Sequence, residues 1–466
     1  MPDLKFTNYL SPFSWRYGSS EMRQIFSERY KFKVWRKIWV ELARAQFKAG
    51  LVSKKELVDL EKNQHKINIE KILEIESKTN HDVVAAIKEF ADIAKIGGGK
   101  IHLGATSMDI VDNADVVRMK QGLDLIEEKL IKNIHIFAAQ VKAYADLPCM
   151  GYTHLQPAEP TTVGYRLAFY LQDLLTDLEI LKFVKNNLKA KGMKGAVGTR
   201  ASYKEVLTEG KISANKLDQM VMQKLGISGA LISSQTNSRK NDYLVLVVLA
   251  SIASSLSKFA LDLRVMQSPA FGEVTEPFGK NQVGSSAMPF KKNPVRAEKI
   301  CSLARYIGAL PQVVLENASL SILERTLDDS ANKRVVIPEA FLATDEILET
   351  ATKIIEGLVI NKEAIENNLQ KYAPFSALEN ILIETVKNGA DRQDMHEILR
   401  EIAMTVWEKV QKGEQNPMEN LLKENSTLRK FISNKKIEQL LDIKNHIGDA
   451  PQRARQLTKI AFGVKK

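Results

Sequence analysis

The sequence predicts a mainly α-helical fold, and three observations support this prediction. Apolar residues recur at spacings of three and four over long segments, which is typical of one buried stripe along a helix. Alternating strand patterns are few along the 466 residues. The stripes are long enough for several helices of about 25–30 residues, or roughly 40 Å each at 1.5 Å per residue. A single chain rarely buries so many long stripes alone, so we expect an oligomeric helical bundle.

Three segments follow one another along the chain, and we interpret each as a domain. Residues 1–110 begin with a polar stretch, continue with helical patterns and end beyond a run of three glycines, so they predict an N-terminal helical domain. Residues 111–360 predict a central long-helix bundle domain. Residues 361–466 contain shorter helical patterns interrupted by glycine and proline, which predict a C-terminal helical domain. The four long apolar series of the central segment begin at Met119, Leu167, Leu249 and Phe341.

The composition is ordinary for a soluble globular protein, with 44% hydrophobic and 26% charged residues. The net charge of +11 would suit nucleic acid or an anionic substrate, but no long basic run occurs, so a solvated surface is the first interpretation. Two cysteines, Cys149 and Cys301, cannot build a disulfide framework and suit a reduced setting. The start lacks a signal-peptide core, and the apolar window 243–250 is short for a membrane span. We therefore expect a cytoplasmic protein that binds neither nucleic acid nor membranes.

The stretch 284–294 is a loop that is crowded with reactive groups. Its glycine and two prolines prevent a continuous helix. A plain linker explains these three residues, but it does not explain the two serines and two lysines between them. Loops on a rigid scaffold often carry function. On residue types alone, a linker and a functional loop are equally good interpretations.

Further polar clusters lie in predicted loops or at helix ends, at residues 79–83, 106–113, 152–162, 234–240 and 324–334. Each cluster alone has a structural explanation. His81 could cap a helix beside Asp82, and His154 could be buried in a turn that nearby prolines impose. Thr106 and Ser107 could simply cap the next helix. The arginines of the last cluster could form surface ion pairs, which contribute only about 0–1 kcal/mol.

Taken together, the clusters resemble the fumarase/aspartase superfamily. The loop reads Gly-Ser-Ser-x-Met-Pro-x-Lys-x-Asn-Pro, which is similar to the signature of that superfamily. The residues at 79–83, 106–109, 153–162 and 325–330 resemble, in the same order, motifs of the adenylosuccinate lyase family. The resemblance spans roughly residues 10–350. It implies a three-domain fumarase/aspartase-like fold whose central long-helix bundle assembles into a tetrameric helical core, with active sites shared between three subunits.

The resemblance also implies a reaction. Adenylosuccinate lyases eliminate fumarate from adenylosuccinate to give AMP, and from SAICAR to give AICAR, in purine nucleotide synthesis. Such an elimination needs a base for a proton next to a carboxylate, an acid for the departing nitrogen, and donors for the developing aci-carboxylate. By position, Ser285 matches the general base and His154 the general acid. His81 matches a second histidine near the substrate phosphate, and an alternative assignment gives His81 the base role.

Other matched positions imply contacts to the substrate, and no metal or organic cofactor is implied. The positions that match phosphate and ribose contacts are Arg16, Tyr17, Arg325, Ser330 and Arg334. The positions that match carboxylate contacts are Thr106, Ser107, Gln235, Lys291 and Asn293. Asp82 accompanies His81. Asn80 and Lys299 stand where some relatives have arginine, so we expect a weaker phosphate contact at Asn80 and a lost bidentate fork at Lys299.

Two alternatives remain at this point. Argininosuccinate lyase and aspartase share the loop signature, but the arginines at 16, 325 and 334 favour a substrate that carries a phosphate. A basic, non-catalytic helical binding protein belongs to a different class of function. Only the net charge of +11 supports that alternative.

Overall fold

A computed structural model describes residues 7–465. The α-helices of this part of the chain are α1 Ser20–Ile25, α2 Glu28–Ala49, α3 Lys54–Asn63, α4 Ile69–Thr79, α5 Asp82–Ile93, α6 Ser107–Ala143, α7 Val163–Asn187, α8 Ala201–Val206, α9 Ala214–Leu225, α10 Lys240–Met266, α11 Val295–Ser319, α12 Asp329–Glu356, α13 Lys362–Ser376, α14 Leu378–Lys387, α15 Arg392–Gln411, α16 Met418–Glu424, α17 Asn434–Leu441 and α18 Ala450–Gly463. The strands are β1 Pro148–Thr153, β2 Gln156–Thr162, β3 Lys189–Ala190, β4 Ser228–Gly229, β5 Val274–Thr275 and β6 Val359–Ile360. The predicted mainly α-helical fold is confirmed.

The long apolar series predicted from the sequence lie in helices α6, α7, α10 and α12. Every member of the first series is at most 1% exposed: Met119, Leu123, Ile126, Leu130, Phe137 and Val141. The series along α10 is buried in the same way, from Leu249 at 0% to Met266 at 6%. The spacing of three and four therefore marked true core stripes, because one face of each helix is removed from water.

The described chain divides into two compact units. The first unit contains the residues up to Lys129 together with Asp177–Ser254 and Ser302–Leu348. The second unit contains Leu130–Thr176, Ser255–Cys301 and the described residues from Glu349 onwards. Each of the long helices α6, α7, α10, α11 and α12 contributes residues to both units. The predicted domains at residues 1–110, 111–360 and 361–466 remain a prediction.

In the first unit, two local features separate neighbouring helices. Helix α2 begins anew after α1 because the Ser27 hydroxyl accepts the Tyr30 N–H at 3.2 Å and caps it. Helices α4 and α5 are separated at Asn80, which adopts a left-handed conformation with φ 53°. The second feature brings residues 80–82 to the start of α5.

The second unit contains the β-hairpin and the C-terminal helices. Strands β1 and β2 pair antiparallel, with Thr153 opposite Gln156, so His154 and Leu155 form a two-residue turn. Helices α13 to α17 enclose their own apolar core, which includes Leu399, Val406 and Leu422, each at most 4% exposed.

Helix α10 is long and apolar enough to cross a membrane by length and composition, although half of its most apolar window is buried inside the protein. Val245, Leu249 and Ile252 are each 0% exposed. This burial is typical of a helix in the core of a protein.

Candidate active site

A cleft of about 610 Å³ in the first unit gathers most of the predicted substrate contacts of that unit. Its walls come from the start of α5, the start of α6, the segment before α10 and the start of α12. The predicted residues that line the cleft are Asn80, His81, Asp82, Thr106, Ser107, Gln235, Arg325, Ser330 and Arg334. These residues lie up to about 250 positions apart in the chain, so the fold and not local sequence brings them together.

The start of α5 presents His81 to the cleft. His81 is the N-cap of α5, and its Nδ1 lies 3.5 Å from the Val84 amide nitrogen and 3.7 Å from Asp82 Oδ1. The other carboxylate oxygen of Asp82 accepts a hydrogen bond from Arg334 Nη2 at 3.0 Å. His81 is therefore both a capping residue and a half-exposed group of the cleft. Its neighbour Asn80 suits the left-handed position at the end of α4, since asparagine tolerates that conformation better than most residues.

The start of α6 is fixed by a buried carboxylate. Asp109 is 0% exposed, and its Oδ2 accepts the Thr106 N–H at 3.1 Å and the Tyr203 hydroxyl at 3.0 Å. Its Oδ1 accepts the Lys194 N–H at 3.1 Å and pairs with the buried ammonium of Lys191. Thr106 thus lies immediately before α6 and Ser107 is its first residue, while the predicted contacts of both residues to a substrate carboxylate remain a prediction. Asp109 was not among the predicted site residues, although its Thr-Ser-x-Asp spacing was a signal for a capping acid.

His102 lies just before this segment and was not predicted as a site residue. Its Nδ1 accepts the Trp39 indole N–H at 3.0 Å, and φ is 67°. Burial lowers the pKa of His102, Asp109 opposes the shift and nearby His81 adds to it, and the resulting pKa is about 4. His102 is therefore a neutral ring at neutral pH, with its indole-facing nitrogen acting as the acceptor.

The start of α12 supplies the basic side of the cleft. Arg325 Nη1 lies 3.7 Å from Asp329 Oδ1, and Arg334 reaches Asp82 on α5. The backbone N–H of Gln235 donates to the Glu324 carbonyl oxygen at 3.2 Å, which ties the segment before α10 to the segment before α12. The guanidinium groups of Arg325 and Arg334 and the hydroxyl of Ser330 therefore line one cleft, a combination that suits a phosphate.

Arg16 and Tyr17 do not line this cleft. They follow the short 3-10 helix Pro12–Ser14, and Arg16 is exposed. The Arg16 guanidinium carbon lies 5.7 Å from the ring centre of Trp15 and 5.9 Å from that of Tyr17. Their predicted contacts to phosphate and ribose remain a prediction.

In the second unit, residues 284–294 form the predicted loop between α10 and α11. The Asn293 side-chain amide donates to the Gly284 carbonyl oxygen at 2.9 Å, and this bond closes the neck of the loop. The Ser285 hydroxyl oxygen accepts the backbone N–H groups of Ala287 at 3.3 Å and Met288 at 3.1 Å. Lys291 is exposed. Asn293, predicted to contact a substrate carboxylate, thus holds the neck of the loop together.

A buried acid fixes the base of the loop. The Glu276 carboxylate, 3% exposed, accepts the N–H groups of Arg296 at 3.2 Å and Ala297 at 3.0 Å and so caps α11. Gln267 accepts the Glu276 N–H at 3.0 Å and donates to the Lys292 carbonyl oxygen at 2.9 Å. The predicted site residue Lys299 lies in the first half of α11 and is partly buried.

His154 lies at the tip of the β1–β2 hairpin. His154 and Leu155 both have positive φ, 53° and 60°, which matches the type I′ turns that link tight hairpins. The interpretation of His154 as a buried histidine in a proline-imposed turn is wrong. His154 is exposed, and both prolines lie within β2, where Pro157 faces Tyr152 and Pro160 faces Met150.

Comparisons with known proteins identify the family. The lyase family profile matches residues 16–308, and the profile named adenylosuccinate lyase C-terminus matches residues 374–457. The adenylosuccinate lyase of Saccharomyces cerevisiae is 37% identical over 98% of this chain and 95% of its own length. The adenylosuccinate lyase of Methanocaldococcus jannaschii is 36% identical over 96% of this chain and 95% of its own length.

Solved structures agree on the fold. A fumarate lyase from Mesorhizobium sp. BNC1 superposes with a TM-score of 0.82 at 22% identity, over 97% of this chain and 99% of that one. A 3-carboxy-cis,cis-muconate lactonizing enzyme from Pseudomonas putida gives a TM-score of 0.84 at 24% identity, over the same shares. At such identities these structures establish the fold alone. With full-length relatives above 35% identity, the chain belongs to the adenylosuccinate lyase family.

Proposed function

We propose that the chain is a carbon–nitrogen lyase that eliminates fumarate from adenylosuccinate, giving AMP, and from SAICAR, giving AICAR. The observation that carries this proposal is the cleft, which gathers His81, the Thr106–Ser107 helix start, Gln235, Arg325 and Arg334 from four separate segments. The family membership given above supports the same reaction. A phosphate and two carboxylates on the substrate suit the cations and donors on this surface.

The reaction needs two proton transfers. In our proposal, Ser285 takes a proton from the carbon next to a substrate carboxylate, electrons flow to break the carbon–nitrogen bond, and His154 protonates the departing nitrogen. A serine oxyanion needs stabilisation, and backbone N–H groups already point at the Ser285 oxygen. Lys291, on the same loop, would add positive charge when the loop closes over substrate. His81 would orient the phosphate end.

We further propose that four copies assemble and share their active sites, each site drawing on three subunits. Large apolar side chains on the long helices support an association. Phe169 is 57% exposed, Phe183 63% and Leu261 50% in the single chain, so these helices keep an apolar face available for another copy. The cytoplasmic location predicted from the cysteine content stays a prediction, and both cysteines are buried and free in the structure.

The decisive experiment is turnover of adenylosuccinate by the purified protein, followed as AMP and fumarate. No turnover would overturn the proposed function. Turnover of argininosuccinate instead would favour the argininosuccinate lyase reaction. We predict that Ser285→Ala and His154→Ala each lower kcat by at least about 10³-fold, because each change removes a proton-transfer group. Size-exclusion chromatography should show an unchanged assembly. Near-normal kcat in either variant would remove that residue from its assigned role.

A further inference from the structure

Arg239 is the centre of a buried ion cluster to which the proposed function assigns no role. It lies in the polar stretch 234–240 and is 6% exposed. Its Nε donates to Asp329 Oδ2 at 2.6 Å, and its Nη1 donates to Asp112 Oδ1 at 2.9 Å. One guanidinium group thus bonds two carboxylates from distant parts of the chain.

The partners of Arg239 belong to the segments that carry the predicted substrate contacts. Asp112 lies on α6 beyond Ser107, and its other oxygen accepts the Asn237 N–H at 2.6 Å. Asp329 is the first residue of α12, between Arg325 and Ser330. Gln235 lies on the same short stretch as Arg239 itself. A single side chain therefore connects the start of α6, the Gln235 segment and the start of α12.

The charges of this cluster balance. Lys333 lies 3.2 Å from Asp242 and 3.6 Å from Asp115. The four carboxylates belong to Asp112, Asp115, Asp242 and Asp329, and the four cations that contact them belong to Arg118, Arg239, Arg325 and Lys333. Because the two acids bonded by Arg239 are at most 4% exposed in their side chains, loss of that cation would leave the buried cluster with one uncompensated negative charge.

We propose that Arg239 is a positioning residue that holds the three binding segments of the cleft in their relative places for the anionic substrate. The inference rests on the proposed function for its substrate. Arginine suits this position and lysine does not, since the guanidinium presents separate N–H donors in fixed directions to two carboxylates, whereas an ammonium is a single point charge.

The test is Arg239→Lys, which keeps the positive charge and removes the separate N–H donors of the guanidinium group. We expect a cooperative thermal transition, a KM for adenylosuccinate raised at least tenfold, and a lower kcat/KM. KM separates the two explanations, because a misfolded fraction lowers the amount of active enzyme and therefore Vmax, but it leaves KM unchanged. An unchanged KM would overturn the proposal. If Arg239→Lys does not fold, the KM of Asp112→Asn, which removes one of the two ion pairs, decides in the same way.

Arg36→Lys is the matched control. Arg36 is also a buried arginine of the first unit, paired with Glu89, and both side chains are 2% exposed. Arg36 does not line the cleft. We expect this control to lower the melting temperature and to leave KM within twofold of the unaltered protein. A rise of KM in the control equal to that in Arg239→Lys would show that any buried ion pair has this effect and would contradict a specific positioning role.

Hydrogen exchange of the unliganded protein provides a readout that needs no turnover. In Arg239→Lys, amides of residues 106–113, 234–239 and 324–334 should exchange faster together, while amides of α2 keep their rates. If the unaltered protein does not turn over adenylosuccinate, the proposed function fails and the exchange result alone decides on Arg239. Unchanged exchange in all three segments would overturn its positioning role.

Discussion

At the scale of single residues, the turn that carries His154 holds Leu155 in a left-handed conformation. Its φ is 60° and its side chain is 66% exposed, so the free energy of side-chain burial compensates little for the unfavourable backbone conformation. A left-handed conformation costs a non-glycine residue roughly 1–2 kcal/mol, and the second position of a type I′ turn favours glycine. We predict that Leu155→Gly raises the free energy of unfolding by about 1 kcal/mol in urea denaturation.

A matched variant separates the turn effect from the loss of a leucine. Leu73 is 55% exposed and lies inside α4, where glycine is unfavourable by about 1 kcal/mol relative to alanine. Leu73→Gly should therefore destabilise the protein while Leu155→Gly stabilises it. Equal destabilisation by the two changes would show that the Leu155 backbone is not strained.

His102 predicts a pH dependence of stability. Its folded pKa of about 4 lies below the ordinary value of 6.5, so below pH 6.5 the unfolded chain binds the proton first. Stability from the neutral ring is complete above pH 6.5 and falls as the pH drops towards 4, by about 3 kcal/mol in total. His102→Asn keeps an acceptor for Trp39 and tolerates positive φ. Between pH 7 and pH 5, the free energy of unfolding measured in urea should fall by about 2 kcal/mol less in His102→Asn than in the unaltered protein. An equal fall in both proteins would contradict the neutral ring.

At the scale of the elements, the neck of the 284–294 loop requires glycine at position 284, because a larger residue would not fit there. A Cβ atom on Gly284 would lie 1.9 Å from the Lys291 carbonyl oxygen, so glycine is needed for close approach. We predict that Gly284→Ala opens the neck, displaces Ser285 and lowers kcat/KM at least about 100-fold, since small misplacements of reacting groups are costly. Because residues 286–292 are exposed, the melting temperature should change little.

Gly279 is the internal control for this prediction. It lies in the same connection between α10 and α11, and a Cβ atom there would meet Gln282 at an ordinary 3.7 Å. Gly279→Ala should leave kcat/KM within about threefold of the unaltered protein. A similar loss of activity in both variants would mean that the connection tolerates no added bulk, and the specific account of the neck would be wrong.

The helices were predictable because their signal is local and repeated. One buried stripe such as Leu249 to Met266 gives the period directly, and the structure buries it throughout. The hairpin was not predictable by the same means. Prolines at 157 and 160 argue against a strand, and a His-Leu pair is not a typical type I′ turn sequence. Its turn conformation became visible only from the backbone angles of His154 and Leu155.

The candidate site was predictable in its exposed groups and not in the contacts that hold them. Resemblance placed His81, Gln235 and Arg325 among the substrate contacts, and all three line the cleft. The roles of Asp109 and Arg239 depend on bonds to residues more than 80 positions away. No spacing rule connects such partners, so only the folded chain could pair them.

At the scale of the whole molecule, the proposed groups are distributed over both units. His81 and the cleft belong to the first unit, whereas Ser285 and His154 belong to the second. Our proposal of shared sites assigns groups of one active site to different subunits. Shared sites therefore predict that two inactive variants recover activity in a mixed assembly, whereas sites built from a single chain predict no recovery.

Two inactive variants should restore each other when they are mixed within one assembly. We predict that Ser285→Ala and His81→Gln are each nearly inactive alone, and that unfolding and refolding a 1:1 mixture recovers roughly a quarter of the unaltered activity. The fraction follows because a site that takes His81 from one subunit and Ser285 from another receives both intact residues with a probability of one half times one half. If both residues came from the same subunit, every site would keep one defect and no activity would return. Refolding each variant alone in the same buffer controls for activity gained by refolding itself, so recovery that is confined to the mixture would place the two residues on different chains.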